Sequence, residues 1–182
     1  MYKLRFITIA FLVTIIFFSC SRPEPRKPVV RKSSTFLKES IVRNKAINKL
    51  EEAVLKDLML KDTMHVYSAS ENGFWYYYNT KDSLDGYTPK SGDEVFFNYA
   101  VKDVDGNTLY TKEEIGPQSY LVDKQDIITG LQDGIKLMKE GETVTFLFPS
   151  YKAYGYLGHE RIARGQPLIY TVKLNKIIVN NK

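Results

Sequence analysis

The sequence predicts an α+β fold, a five- or six-stranded antiparallel sheet wrapped over one short helix, with a signal peptide, a tether and an amphipathic helix in front of it. Three observations carry this. Apolar residues alternate in Val95, Phe97, Tyr99 and Val101, in Val144, Phe146 and Phe148, and in Leu168, Tyr170, Val172 and Leu174. That period of two marks strands with one buried face. Ile127, Ile128, Leu131, Ile135 and Met138 fall on one side of a short helix. From Thr35 to Lys61 there is no Gly or Pro, and Leu37, Ile41, Ile47, Leu50, Val54 and Leu58 recur at spacings near three to four. One helix covering one face of such a sheet is a stable layered solution.

At 182 residues the chain holds one domain of ordinary size plus a smaller N-terminal extension. Residues 1–19 read as an export signal, with Lys3 and Arg5 ahead of the apolar run Phe6 to Phe18 and a small residue, Ser19, before Cys20. The run is too short for a membrane span, which needs about 20 apolar residues. Cys20 is the only cysteine, so no intramolecular disulfide can form. Its place at the end of the signal resembles a bacterial lipobox and implies lipidation at Cys20, with the protein anchored to a membrane by its acyl chains. Residues 20–34 then form a tether with three prolines and five basic residues, extended and solvated. An acidic run does not follow Cys20, which by resemblance to lipoproteins of gliding bacteria implies a periplasm-facing envelope lipoprotein.

Residues 35–63 form the amphipathic helix, about 40 Å long if unbroken. Its apolar stripe packs on the following domain or contacts a second copy or a partner. The domain itself is expected over 64–182. Met64 to Ser70 and Gly73 to Asn79 read as strands, and the aromatic run Phe74-Trp75-Tyr76-Tyr77-Tyr78 suits a strand covered on both faces better than a nucleotide-stacking platform, since no basic groove accompanies it. Asp85-Gly86 and Ser91-Gly92 mark turns, and Asp105-Gly106 a hairpin. Gly141 is expected to end the short helix through its tolerance of positive φ.

Net charge is +5, falling to about +3 without the signal and spread through the chain, so nucleic-acid binding is not expected. His65 and His159 are the only histidines, and no nucleophile-elbow pattern is present. Asp103-Val104-Asp105-Gly106 begins like a calcium loop but lacks the later ligands. No metal or cofactor is expected.

The segment Tyr151-Lys152-Ala153-Tyr154-Gly155-Tyr156-Leu157-Gly158-His159 resembles the active-site loop of the FKBP family of peptidyl-prolyl cis/trans isomerases. It lies in order with Pro89-Lys90-Ser91-Gly92-Asp93, Asn98-Tyr99, Asp105-Gly106, Gly130-Leu131-x-x-Gly134 and Leu168 to Leu174. The resemblance covers about Gly73 to Ile178, and it makes the expected sheet FKBP-like. It implies a binding pocket in which the backbone amide of Ile128 meets the carbonyl that follows proline, with Ile127 beside it and Leu131 as the floor. Tyr99 and Tyr170 match aromatic walls. Tyr154 matches the tyrosine whose hydroxyl reaches the substrate, and Ile162 an aliphatic residue above the pocket.

The sequence also departs from the family's pattern. Leu109 stands where phenylalanine is usual, Tyr110 where aspartate is usual, Gln118 where an aromatic often sits, and Leu131 where the archetype has tryptophan. The loop Glu160 to Pro167 is one residue shorter than the archetype's and lacks its paired prolines.

Such an isomerase needs no nucleophile, because rotation about a partial double bond makes and breaks nothing; the barrier is roughly 20 kcal/mol of amide resonance. A dry pocket that binds the twisted amide lowers it. The resemblance implies X-Pro segments of exported or envelope proteins as substrates. The lipobox, helix and aromatic-rich module together resemble gliding-motility-associated isomerase lipoproteins. The rival expectations are a catalytically weak binding module that uses the same pocket and a holdase chaperone that uses the helix.

Overall fold

The computed structural model describes residues 33–82 and 86–180. The expected signal peptide and Cys20, with nearly all of the tether, lie outside them. The chain divides into two compact units, 1–38 and 39–182. Of the first, only Ser33–Lys38 is described, as the opening of helix α1 (Ser33–Lys61).

The second unit adds strands β1 (Ser68–Ala69), β2 (Trp75–Thr80), β3 (Glu94–Lys102), β4 (Thr108–Tyr110) and β5 (Gln118–Leu121). Helix α2 (Lys112–Ile115) stands between β4 and β5; α3 (Thr129–Ile135), β6 (Thr143–Phe148), a 3-10 turn (Ser150–Lys152) and β7 (Leu168–Ile178) complete it. All the strand pairs are antiparallel, in the order β1-β2-β6-β7-β3-β4. β5 shares the outer edge of β3 with β4: Glu94 to Phe97 pair with β5, and Val101 and Lys102 with β4. This is the expected antiparallel sheet, with two short strands raising the count to seven.

The alternation buries Val95, Phe97 and Val101 of β3, Val144, Phe146 and Phe148 of β6, and Leu168, Tyr170, Val172 and Leu174 of β7 in one core with Leu131, Ile135 and Met138. Helix α3 approaches β6 closely because its contact positions are glycines. A Cβ at Gly130 would lie 2.7 Å from Phe148 Cδ1, and one at Gly134 3.0 Å from Phe146 Cε1.

Three expectations are corrected. Helix α3 ends at Ile135, six residues before Gly141, because turn bonds from Leu137 N–H to Gly134 O and from Met138 N–H to Ile135 O take over; Ile127 and Ile128 precede it rather than lie on it. Gly141, at φ +88°, instead opens β6 by donating its N–H to Leu174 O. Of Met64 to Ser70, only Ser68–Ala69 is strand. Asp62 organises the rest, accepting Met64 N–H at 3.0 Å and Tyr67 Oη–H at 2.7 Å and contacting His65 Nδ1 at 2.8 Å. Tyr67 and His65 first, then Met64, hold the Asp62 carboxyl down at about 2.

The third correction concerns the face of α1. Leu37, Ile41, Leu50 and Val54 are exposed, whereas Leu55 and Glu51 are buried and Ile47, Asn48 and Leu58 half-buried. The packed face thus runs along 47, 48, 51, 55 and 58, and a carboxylate sits in its middle.

The aromatic strand is covered on both sides. Phe74 lies in the core, with Tyr76 and Tyr78 against it. On the opposite face Trp75 meets Lys56, and Tyr77 stacks on His65 at 4.0 Å and contacts Tyr67 edge-on at 5.1 Å.

Candidate active site

The nine residues singled out by resemblance all lie in the hydrophobic core cluster or against it. Leu131, Ile162 and Tyr170 are members of the core cluster, and Tyr99, Leu109, Tyr110, Ile127, Ile128 and Tyr154 pack against it. They come from β3, β4, the entry to α3 and α3 itself, the loop after β6, and β7. A cleft of about 140 Å³ opens there, lined by Tyr99, Val101, Tyr110, Ile115, Tyr154, His159 and Glu160. Leu109, Ile127, Ile128, Leu131, Ile162 and Tyr170 do not line that opening.

Each tyrosine is held by a ring contact. Tyr99 stacks between Phe97 at 5.9 Å and Tyr170 at 5.4 Å. Tyr170 also meets Phe148 at 5.4 Å. Tyr154 lies parallel to the His159 ring at 4.9 Å, so His159 orients it. Burial first, then the neighbouring Tyr154, pushes the Tyr170 hydroxyl far above its usual range. The same two causes, in the same order, raise Tyr99. Both hydroxyls therefore remain protonated donors at neutral pH.

Ile128 is the N-cap of α3, with an extended backbone (φ −55°, ψ 137°) and no side-chain cap. Its carbonyl accepts from Leu131 N–H and Gln132 N–H. Its own N–H lies outside the helical ladder, as N-terminal donors do. Gln132 Nε2 donates to Ile127 O at 3.0 Å, which fixes the entry loop.

The loop after β6 turns on Gly158, at φ +68°, where a Cβ would stand 2.5 Å from Ile162 O. This close approach permits the paired His159–Ile162 backbone bonds of 2.9 and 2.7 Å. The bridge brings buried Ile162 back over the core.

The residues that depart from the family pattern build the rim. Tyr110 Oη–H donates to Glu160 Oε2 at 2.9 Å and accepts Arg161 N–H at 3.2 Å. The Arg161 guanidinium lies 4.9 Å over the Tyr110 ring, donates to Leu109 O at 2.9 Å and pairs with Glu114 at 3.1 Å. Thr111 N–H first, and Arg161 next, hold the Glu114 carboxyl below its ordinary range. Gln118 turns inward to the chain, donating to Ile115 O at 3.1 Å.

Sequence reasoning missed Ile115, Glu160 and Arg161 as site residues. The signal for Ile115 was available: Thr111 and Glu114 form a reciprocal capping box, a Thr-x-x-Glu spacing that announces α2 and places Ile115 at its end. Nothing local announces Arg161, whose partners lie 47 to 52 residues away.

A larger hollow of about 690 Å³ shares Tyr99 with the aromatic cleft and is otherwise lined by residues that include Asn98, Ala100, Pro117, Thr171 and Lys173. Apart from Tyr99, none of the nine residues singled out by resemblance lines it. The aromatic cleft is the better candidate despite its smaller size.

Residues 86–175 match the model of the FKBP-type peptidyl-prolyl cis-trans isomerase family. A probable FKBP-type peptidyl-prolyl cis-trans isomerase FkpA of Neisseria meningitidis is 32% identical over 135 residues, 73% of this chain and 47% of the relative. Escherichia coli FkpA, of the same description, is 31% identical over 100 residues, 53% of this chain and 36% of the relative. The chain thus spans less than half the length of these relatives. Among solved structures, a peptidyl-prolyl cis-trans isomerase from Pseudomonas syringae pv. tomato superposes with a TM-score of 0.59 at 20% identity, over 74% of this chain and 96% of that one. Escherichia coli FkpA gives 0.56 at 22% identity, over 94% and 81%. These two likenesses establish the fold.

Proposed function

We propose, from the membership of residues 86–175 in the FKBP-type peptidyl-prolyl cis-trans isomerase family, that this chain catalyses cis/trans isomerisation of X-Pro bonds. The observation that carries the reading is an aromatic cleft lined by Tyr99, Tyr110 and Tyr154, with buried Tyr170 stacked on Tyr99. The planar amide is more polar than the twisted one, so an apolar wall favours rotation and the remaining polar groups need only hold the twisted form. Tyr154 offers a hydroxyl to a substrate carbonyl, and Ile128 a backbone N–H to the carbonyl after proline. Steps that otherwise take tens of seconds are shortened without covalent chemistry.

The substrates would be X-Pro segments of exported or envelope proteins, with the protein anchored through lipid on Cys20 and facing the periplasm. Support for the location comes from the basic n-region, apolar run and Ser19-Cys20 of the sequence. Among the described residues no helix is long and apolar enough to cross a membrane. Within the envelope, the likeness to gliding-motility-associated isomerase lipoproteins supports a role in folding or assembling the motility apparatus. Ile41, Val42, Leu50 and Val54 are exposed on α1 and offer a surface for a second copy or a partner.

The experiment is a protease-free isomerisation assay on the full chain in detergent, comparing wild type with Tyr154→Phe and Tyr99→Ala. Loss of one hydroxyl hydrogen bond of about 1 kcal/mol predicts a roughly fivefold lower kcat/KM for Tyr154→Phe. Background rates from folded wild-type protein would overturn the catalytic reading. They would favour a binding module, a second reading supported by the Tyr110–Glu160–Arg161 contacts that close the rim of the cleft.

A further inference from the structure

Glu51 is buried, 6% exposed, on a helix that lies outside residues 86–175. Its two oxygens accept from one residue 99 positions away: Ser150 N–H at 2.7 Å and Ser150 Oγ–H at 2.7 Å. Among the described residues it enters no ion pair. A buried carboxylate without a cation costs more than the leucine that occupies position 55 one turn later, so short charge-assisted bonds must hold it there.

Those bonds fall at the root of the candidate site. Ser150, itself 5% exposed, opens the 3-10 turn, where its N–H has no partner within the turn. Its carbonyl accepts Ala153 N–H at 2.9 Å and Gly155 N–H at 2.8 Å, the residues on either side of Tyr154. Gly155 O in turn accepts Gly165 N–H at 3.0 Å, tying in the return limb of the loop that carries Ile162. A Cβ on Gly165 would lie 3.7 Å from Glu51 Oε1, so the carboxylate stands beside both limbs.

We infer that Glu51 is a positioning residue for the isomerase site, acting through Ser150 to fix the turn that aims Tyr154. The inference rests on the isomerase reading above. It makes α1 part of the catalytic unit: the helix supplies an acceptor that the family segment lacks. Glu51→Gln keeps the arrangement, since its carbonyl accepts the Ser150 N–H and its amide donates to Ser150 Oγ. Glu51→Ala leaves a buried N–H without an acceptor.

The test uses the full chain with Glu51→Ala, Glu51→Gln, Tyr154→Phe and the Glu51→Ala/Tyr154→Phe double variant. Amide exchange is followed alongside kinetics. In Glu51→Ala, kcat should fall by up to about fivefold, no more than removal of the Tyr154 hydroxyl costs, with KM within about twofold, while Glu51→Gln stays within about twofold of wild type. In the Tyr154→Phe background, Glu51→Ala should lower kcat/KM by less than about twofold, because the two residues act through one hydroxyl. Exchange should quicken at Ala153, Gly155 and Gly165 and not at Phe97 or Val172.

An undiminished kcat in Glu51→Ala, or an equal loss with and without the Tyr154 hydroxyl, would overturn the inference and leave Glu51 a packing residue. Failure of the parent reading looks different. Wild-type chain would then not accelerate isomerisation, and exchange alone would decide: faster exchange at the three loop amides keeps Glu51 as the loop's positioning group, and unchanged exchange removes it.

Discussion

At the scale of single residues, two glycines show how the site's motifs encode contact rather than flexibility. In a seven-residue helix an alanine would ordinarily beat glycine by about 1 kcal/mol. At Gly130 that preference reverses, because the added Cβ would stand 2.7 Å from Phe148 Cδ1 and 2.9 Å from Lys152 O. Gly130→Ala should therefore lower stability by about 1–3 kcal/mol, read as a lower urea midpoint at unchanged slope. An unchanged or raised midpoint would mean that α3 can ride outward from β6 without loss. Strand alternation made the face of Tyr99 legible, while the candidate roles of Tyr99 and Tyr154 came from the resemblance of the motifs around them. The contacts of the rim were not legible, because Arg161 meets Tyr110 and Glu114 across about 50 residues of chain, and neither Tyr110 nor Arg161 is marked by period or spacing.

At the scale of elements, α1 teaches the same lesson from the other side. Periodicity finds a helix but cannot tell which of two adjacent stripes the domain covers. Leu50 and Val54 fit the apolar spacing and are exposed, whereas the covered face includes Glu51, which no hydrophobic pattern would select. Burial here follows Ser150, a partner fixed only by the folded sheet. Leu55, fully buried, and Leu50, 68% exposed, make a matched pair on one helix. Leu55→Ala should cost about 2–5 kcal/mol through lost transfer energy and the cavity left behind. Leu50→Ala should stay within about 0.5 kcal/mol, as exposed substitutions do. Equal effects in chemical denaturation would show that α1 is not docked by this face. The end of α1 at Lys61 and the strands with sustained alternation were well read, whereas Met64 to Ser70 is mostly not strand and the end of α3 depends on two turn bonds.

At the scale of the whole molecule, closure of the sheet depends on a carboxylate that lies on no strand. Asp93, 2% exposed, accepts Lys90 N–H and Tyr87 Oη–H on one oxygen and Asn180 N–H on the other, so it joins the segment before β3 to the chain leaving β7. Burial raises its carboxyl, but the N–H groups of Asn180 and Lys90 and the Tyr87 hydroxyl outweigh it, and the net shift is downward. A carboxyl depressed in the folded state adds stability above its unfolded value of about 3.9 and loses it as pH falls through the folded one. Asp93→Asn cannot gain or lose that charge, and its amide nitrogen faces donors, at a cost of about 1–3 kcal/mol near neutral pH. The stability gap between wild type and Asp93→Asn should therefore hold from pH 7 to about 5 and narrow below about pH 4. A gap that stayed constant into acid would mean that the Asp93 charge contributes nothing, and that Lys90, Tyr87 and Asn180 need only an oxygen of the right shape.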